Sequence, residues 1–453
     1  MTITRTRLPE PGPSPPYTFP AIDKSTLPNG LRLWTVHHPQ VPLVAFMLLL
    51  RCGAAADPAG QDGLAAITAD MLDEGTGDRS AIDMHEAIAR LGAQFDTDIG
   101  SDATVTSLTV LTRFAGRALA LLADIVVRPA LREADFSRVR QLRLHRLTQM
   151  RDIPGAVADR AFLKLLYGIR PYGHSPIGNE ASLASMTIDD VRAFHRTAIR
   201  PSAATLIAVG DCDHAGIREL AHEAFAGWAG VAHGAAAPDG ARPRGARLNV
   251  VPRPKAPQSE LRIGHVGVAR NTPDYHALLV GNAVLGGQFV SRINLNLREG
   301  KGVTYGARSA FEFRRRPGPF LLQASVQTSA TAQAIEESIR EIGDIRGPRP
   351  VTPEELSLGI SGITRGYARN FETADQIARA AMQLALYDLP DDEFVEFVQR
   401  IEGVTIDEVS RVMTAHVDPA RLITLVVGDL DTIGPDLRRL DLGDPVVVAQ
   451  DSC

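Results

Sequence analysis

The spacing of apolar and polar positions along the chain predicts both strands and long helices. Residues 94–99 and 103–111 alternate apolar with polar side chains, which is typical of two antiparallel strands joined by a Gly-Ser-Asp turn. Residues 114–127 and 133–151 instead place apolar side chains at three- and four-residue steps, which predicts two amphipathic helices. Antiparallel strands combined with long helices indicate an α+β fold.

Two distant segments share one pattern, in which a predicted helix leads to a strand that ends in Gly-Asp. The first runs from Thr187 to Asp211, and the second runs from Thr405 to Asp429 with the same internal spacing. Both start with Thr-Ile-Asp followed by Asp-Val or Glu-Val. A coincidence of one helix and one strand could arise by chance, so further matches at the same offset are needed.

Two further pairs of segments follow in the same order. The apolar strand 43–51 corresponds to 260–268 at the same offset within two residues, and the helix 61–72 then corresponds to 275–285. Three matches at nearly the same offset indicate an internal duplication. We therefore predict two duplicated α/β halves, each a mainly antiparallel sheet flanked by helices.

Composition supplies the boundaries of these halves. Residues 230–248 are rich in Gly, Ala and Pro, which is typical of a linker. We therefore expect an N-terminal domain over 27–229 and a C-terminal domain over 249–442. Residues 1–26, which include a Pro-rich stretch, are predicted to form an extended tail, and residues 443–453 a second tail.

Charge and cysteine content exclude several classes of function. The net charge is −5 and no basic block stands out, so nucleic acid is not an expected partner. The longest apolar run, Val44–Leu50, is too short to span a membrane. Cys52, Cys212 and Cys453 are widely separated, which fits a reducing compartment. The N-terminus has no apolar signal region, so we predict a cytoplasmic location and leave a periplasmic one open.

The segment from Leu297 to Tyr305 is the strongest candidate for chemistry. A predicted helix ends at Arg298, a turn with two glycines follows, and a strand opens near Tyr305. The glycines let the backbone reverse, so the guanidinium and the phenol could face one cleft and hold a peptide carbonyl or an oxyanion. The simpler alternative is that Arg298 only complements the dipole of the helix that it ends.

The segment from Gly63 to Thr76 resembles the zinc-binding helix of the pitrilysin-type (M16, inverzincin) metallopeptidases. In that family the helix carries His-x-x-Glu-His, whose histidines bind zinc while the glutamate activates water. In this sequence the three positions are Ala66, Ala69 and Asp70, so both histidines and the glutamate are absent.

The family's third ligand, a glutamate, would fall near His145-Arg146, where no carboxylate stands. We therefore predict no metal site in this chain. Asp70, together with Asp73 and Glu74 just after it, is interpreted as a solvated helix end.

The resemblance extends from about Leu27 to Asp441. Residues 170–174 are similar to the family's His-Pro-Tyr-Gly turn, and residues 285–305 are similar to its Leu-Gly-Gly…Ser-Arg…Leu-Arg-Glu…Tyr signature. In these enzymes the Arg and Tyr bind the substrate backbone across the chamber from zinc. The resemblance therefore implies that Arg298 and Tyr305 bind substrate.

Some members of this family divide the work between two chains, one with zinc and one with the Arg/Tyr pair. This sequence resembles the second kind. We therefore expect a catalytically incomplete subunit of a heterodimeric M16-type zinc peptidase, inactive alone and without a cofactor of its own. Its partners would be a peptide substrate and a homologous subunit that has an intact His-x-x-Glu-His and holds the zinc.

Two alternatives remain open. In the first alternative, the chain is a non-enzymatic structural or peptide-binding subunit, like the core proteins of respiratory complex III. In the second, it is a homodimeric non-peptidase. The retained Arg/Tyr pair argues mildly against a pure scaffold, because a scaffold has no need of it.

Overall fold

Two six-stranded sheets, one in each half of the chain, organise the fold. The computed structural model describes Gly12, residues 17–231 and residues 246–449. The strands are β1 Asp23–Thr26, β2 Arg32–His37, β3 Leu43–Leu50, β4 Gly75–Thr76, β5 Arg79–Ser80, β6 Gln94–Ile99, β7 Thr104–Leu111, β8 Ala204–Gly210, β9 Leu248–Pro252, β10 Gln258–Val266, β11 Thr304–Phe311, β12 Pro319–Gln327, β13 Ile423–Gly428 and β14 Val446–Val447.

Helices surround both sheets. They are α1 Leu64–Asp70, α2 Ala81–Arg90, α3 Ala115–Val127, α4 Glu133–Arg151, α5 Pro154–Tyr167, α6 Glu180–Ser185, α7 Ile188–Ala198, α8 His214–Ala224, α9 Tyr275–Asn282, α10 Arg292–Asn294, α11 Thr331–Asp344, α12 Pro353–Thr364, α13 Ala374–Tyr387, α14 Phe397–Glu402, α15 Ile406–His416 and α16 Leu430–Leu437. Two π-helical turns, Ala283–Gly287 and Leu295–Gly300, continue α9 and α10.

The two large sheets share the order of five strands and differ in the sixth, which is β1, antiparallel to β2, in the first sheet and β14, parallel to β9, in the second. The first runs β6-β7-β3-β8-β2-β1 and the second runs β11-β12-β10-β13-β9-β14. In each, one inner pair is parallel (β2 with β8, β9 with β13), and the three pairs on the β6 or β11 side are antiparallel. The predicted α+β fold with two mainly antiparallel, helix-flanked halves is confirmed.

The Thr-Ile-Asp motifs of the two halves form the same local structure. Thr187 caps α7 and Thr405 caps α15, and each hydroxyl accepts a hydrogen bond from the backbone N–H three residues later at 3.3 Å. The carboxylates of Asp190 and Glu408 accept in return from the backbone N–H groups of the two threonines, at 2.8 and 2.9 Å. Each capping box is specified by four residues, which is why this feature was readable from sequence.

The halves exchange helices. Helix α5 belongs to the first half but packs on the second sheet, where Phe162 lies in one buried cluster with Leu321 and Leu425. Helix α13 belongs to the second half but packs on β3 and β8 of the first sheet. A buried Phe or Leu side chain stabilises by roughly 1.5–3 kcal/mol. The two halves are therefore joined by apolar packing on both sheets.

The ends of the described chain join these sheets and do not extend as tails. β1 lies within the predicted tail 1–26 and pairs with β2, while β14 lies within 443–453 and pairs with β9. Ahead of β1, Tyr17 stacks on Phe371 with 4.8 Å between ring centroids. Aromatic packing on the second half fixes a stretch whose proline content suggested an extended tail.

The predicted linker lies mostly outside the described residues, which stop at 231 and resume at 246. In the described ranges, no helix has the length and apolar character needed to cross a membrane.

Candidate functional site

Helix α1, the counterpart of the zinc-binding helix, is held at its start by a buried carboxylate. The Asp57 side chain is fully buried and accepts hydrogen bonds from the backbone N–H groups of Gly63 and Ala65, at 2.7 and 2.6 Å. His174, from the turn singled out in the sequence, lies with Nε2 3.0 Å from the same carboxylate. Burial alone would lower the pKa of His174, but the hydrogen bond to Asp57 and its charge outweigh burial and raise that pKa.

The three positions that the resemblance aligns with the zinc motif lie along α1. Ala66 and Ala69 are buried, and Asp70 is the last residue of the helix. Beside Ala69 and Asp70 is a pocket of about 370 Å³ that is also lined by Arg143 and Arg146 of α4. Arg143 Nε donates to Asp70 Oδ2 at 2.7 Å, so a salt bridge occupies one of the three positions.

The acidic residues after α1 are also paired. Arg138 binds Glu74, and His85 Nε2 lies 3.6 Å from Asp73. Burial raises the pKa of Asp73, against the influence of His85. The predicted solvated helix end is therefore a partly buried cluster of ion pairs.

This pocket does not suit zinc. Arg143 and Arg146 repel a cation, and no imidazole stands at Ala66 or Asp70. Within the described ranges there is no group of three or more His, Cys, Asp or Glu side chains arranged to hold a metal ion. Of the two residues at the predicted third-ligand position, Arg146 lines the pocket, whereas His145 contacts Gln141 at 3.0 Å.

Arg298 and Tyr305 line a different pocket, of about 570 Å³, in the second half. Arg298 lies in the π-helical turn that continues α10, and Tyr305 lies near the start of β11. Between them Gly302 adopts φ +65°, a left-handed conformation that allows the chain to reverse. The structure thus brings both residues to one cavity, as the sequence predicted for their positions.

A β-bulge directs Tyr305 outward. Thr304 is opposite Val326 and Ala307 is opposite Ala324, so two residues of β11 face one residue of β12. Such a bulge twists a strand and re-aims its side chains. Tyr305 is 91% exposed, and its hydroxyl has no hydrogen-bond partner in the described part of the chain.

Arg298 is positioned by an aromatic ring. Its guanidinium carbon lies 4.4 Å from the centroid of the Phe289 ring, and Nε lies 3.5 Å from Glu299 Oε1. A cation over an aromatic face is stabilised by about 0.5–1 kcal/mol at exposed sites. This contact orients the guanidinium at the rim of the pocket.

Asn294 connects the rim to the strand. Its Nδ2 donates to the Phe289 carbonyl at 2.7 Å, and its Oδ1 accepts from the Ala307 N–H at 3.1 Å. The residue is only 3% exposed. One buried amide therefore fixes the loop that carries Phe289 relative to the bulge that carries Tyr305.

A row of polar side chains crosses the floor of the pocket. Arg308 of β11 is opposite Gln323 of β12, which is opposite Arg262 of β10. With the Gln323 amide oxygen turned toward Arg308, it accepts from Nε and Nη2 at 2.6 and 2.7 Å. Sequence analysis missed this row, although the polar positions in otherwise apolar strands were a visible signal.

The two pockets occupy equivalent places in the two halves. The first pocket lies at the end of α1 and beside the edge strand β6. The second pocket lies at the π turn that ends α9 and beside the edge strand β11. In both halves the helix follows the second strand of the repeat. The two halves therefore contain one pocket with the Arg143–Asp70 ion pair and one pocket lined by Arg298 and Tyr305.

Two family profiles match most of the chain. Residues 32–178 match the profile described as insulinase (peptidase family M16), and residues 185–362 match the peptidase M16 inactive domain. An uncharacterized zinc protease of Mycobacterium bovis is 25% identical over 416 residues, which cover 89% of this chain and 93% of that protein. An uncharacterized zinc protease of Streptomyces coelicolor is 26% identical over 397 residues, or 86% of each chain.

Solved structures share the whole fold. A peptidase M16 inactive domain from Pseudomonas fluorescens superposes with a TM-score of 0.84 at 24% identity, covering 90% of this chain and 98% of that one. A protease from Helicobacter pylori gives 0.82 at 19% identity, over 90% and 99% of the two chains. A chain of complex III2 from Candida albicans gives 0.76 at 13% identity, over 93% and 98%.

Proposed function

Because this chain belongs to the M16 peptidase family, we propose that it is the substrate-binding subunit of a heterodimeric M16-type zinc peptidase. A homologous partner with an intact His-x-x-Glu-His would hold the zinc, and this chain would contribute Arg298 and Tyr305. One contrast carries the proposal. The Arg/Tyr pair faces an open pocket, while the equivalent pocket in the first half holds the Arg143–Asp70 salt bridge.

The roles of Arg298 and Tyr305 follow from the hydrogen-bond donors that their side chains carry. The Arg298 guanidinium, stacked on Phe289, keeps N–H groups available to donate to a carbonyl oxygen of the peptide backbone. The Tyr305 hydroxyl would donate to the oxygen on which negative charge develops. One preorganised donor of this kind contributes roughly 3–4 kcal/mol, which corresponds to a rate factor on the order of 10²–10³. The cleavage chemistry itself would belong to the partner.

The edge strand beside the pocket limits how a peptide can bind. β11 is the outermost strand of the second sheet, but Asn294 and Asn282 already bond the Ala307 N–H and the Ser309 carbonyl on its outer edge. A peptide that adds a strand to a sheet needs such backbone groups to be free. The peptide would therefore lie in the pocket itself and be held through its carbonyl groups by Arg298 and Tyr305.

The test is reconstitution with an M16 chain of the same organism that has the intact zinc motif. This chain alone should contain no stoichiometric zinc by elemental analysis and should cleave no peptide. The mixture should elute as a 1:1 complex in size-exclusion chromatography and cleave peptides. One tightly bound zinc per isolated chain, or a mixture that never associates, would contradict the proposal.

Site variants refine that test. Arg298→Ala and Tyr305→Phe should each lower turnover of the complex about 10²-fold without affecting assembly. The matched control is Arg439→Gln, because the Arg439 side chain is exposed on the surface and its ion-pair partner in the described part of the chain is Asp436. Unchanged turnover in the Arg298 and Tyr305 variants would leave the pair with a structural role.

A second candidate is a non-enzymatic subunit that binds peptide or supports an assembly. It is favoured by the Arg143–Asp70 ion pair at one position of the zinc motif, since this pair holds α1 to α4 without chemistry. A peptide-binding titration with wild type and Arg298→Ala separates the cases. Arg298-dependent binding without any active complex would indicate a binding subunit, and no binding would indicate a scaffold.

A further inference from the structure

The floor of the Arg298 pocket contains a second exposed arginine, Arg308, that no carboxylate neutralises within the described residues. We infer that Arg308 determines substrate specificity by binding a carboxylate of the peptide, either an acidic side chain or a free C-terminus. The inference rests on the proposed function for the peptide itself, and adds the chemical class that the pocket selects.

The contrast with Arg262, in the same cross-strand row, supports this role. Arg262 is 4% exposed, and its Nε donates to Asp159 at 2.7 Å while Nη1 donates to Glu260 at 3.1 Å. Its charge is therefore compensated by two carboxylates, as burial of an ion requires. Arg308, two strands away on the same face, is paired within the described ranges with the neutral amide of Gln323 and with no carboxylate.

That amide holds the Arg308 guanidinium without cancelling its charge. Two short hydrogen bonds from Nε and Nη2 to one oxygen fix the plane of the group. Nη1 is not used in this contact, so donors remain for a ligand. A planar guanidinium held in one orientation is suited to carboxylate recognition, which is often bidentate.

The local charge balance also favours an anion. Arg262, Arg298 and Arg308 all line the pocket, but Arg262 is compensated by Asp159 and Glu260, and Arg298 has Glu299 beside it at 3.5 Å. Within the described residues, Arg308 contacts the Gln323 amide and no carboxylate. A carboxylate of the peptide would therefore supply the acidic partner that Arg308 lacks there.

The pocket places the carboxylate at a defined point. Asn294 and Asn282 bond the Ala307 N–H and the Ser309 carbonyl on either side of Arg308, so a peptide reaches Arg308 through the pocket and not as an added strand. Arg298, Tyr305 and Arg308 line that one pocket. A carboxylate of the peptide would thus be selected at Arg308, while a peptide carbonyl contacts Arg298 and Tyr305 nearby.

The test is fluorescence anisotropy with the full-length chain and three labelled peptides of equal length. One is neutral with an amidated C-terminus, the second differs by one internal glutamate, and the third is neutral with a free carboxylate. We expect the second or the third to bind about tenfold more tightly than the first at low salt, and the difference to shrink as salt is added. The peptide that binds more tightly than the neutral one shows whether the carboxylate comes from a side chain or from the C-terminus.

Variants assign the effect to one side chain. Arg308→Gln should abolish the preference without weakening the neutral peptide, and Arg308→Glu should reverse it in favour of a lysine-containing peptide. Gln323→Glu should also abolish it, because the new carboxylate neutralises Arg308 internally. Arg439→Gln is the control, and circular dichroism verifies that every variant is folded.

The outcomes separate this inference from the proposed function. Equal affinity for all three peptides, or a preference that survives in Arg308→Gln, overturns the role of Arg308 in specificity. Arg308 would then be a charged residue that protects an edge strand from aggregation. A preference that depends on Arg308 while Arg298→Ala changes nothing supports the carboxylate site and overturns the Arg/Tyr proposal. Failure of wild type to bind any of the peptides overturns both.

Discussion

Replacing Asn294 by alanine tests whether the rim of the pocket is held by one buried amide. The substitution removes the hydrogen bonds to the Phe289 carbonyl and the Ala307 N–H. Water can replace the first, because Phe289 is 60% exposed. The second is harder to replace, since Ala307 is 7% exposed.

The expected cost therefore comes mainly from one unpaired buried N–H group. Such a group costs about 1–3 kcal/mol, so the free energy of unfolding should fall by about that amount. Guanidinium denaturation followed by circular dichroism measures it. Freeing the rim loop should also weaken binding of a neutral peptide about tenfold, because the loop must then be ordered on binding.

The matched control is Asn249→Ala. Asn249 is 2% exposed in the same sheet and donates to Ala246 and Thr424 carbonyls, away from the pocket. It should lose stability to a similar extent but keep its peptide affinity. The reasoning about the rim fails if Asn294→Ala unfolds within about 0.5 kcal/mol of wild type, or if both variants lose affinity equally.

Three other substitutions probe the scaffold. Phe162→Ala should lower the free energy of unfolding by about 3–5 kcal/mol. The unfolding transitions followed by tryptophan fluorescence and by circular dichroism should shift together, although both tryptophans lie in the first half. Transitions that shift separately would contradict the coupling of the halves. Because the folded pKa of His174 is raised above 6.5, its pairing with Asp57 stabilises fully below that pH and less as pH rises through the folded pKa. His174→Gln should therefore lower the unfolding midpoint most below pH 6.5 and progressively less as pH rises through the folded pKa of His174. A pH-independent difference would contradict this. Thr405→Ala should lower the free energy of unfolding by about 1 kcal/mol, because the N-terminal cap of α15 is lost. The unfolding midpoint measures this loss, and an unchanged midpoint would contradict it.

Features encoded within a few neighbouring residues were predictable from the sequence. The capping motifs at Thr187 and Thr405 identified the repeat, and the repeat identified the two equivalent sheets. The turn between Arg298 and Tyr305 was also readable, because two glycines and a helix-to-strand transition lie close together. In each case local propensity and long-range packing favour the same structure.

Features that depend on distant pairings were not predictable. Nothing near residues 154–167 indicates that the apolar side chains of α5 cover the sheet of the other half. Arg143 is one of several arginines in α4, and only the fold places it against Asp70. Tyr17 lay in a proline-rich stretch, and only the distant Phe371 explains its position.

The exchange of α5 and α13 has a consequence for synthesis on the ribosome. The first sheet is complete in strands once Gly210 has been translated, yet its apolar face stays uncovered until residues 374–387 emerge. The nascent amino-terminal half must therefore wait for most of the polypeptide, during which its exposed surface is a natural target for holding chaperones. If the two halves are expressed as separate fragments, they should form a stable fold only when both are expressed together.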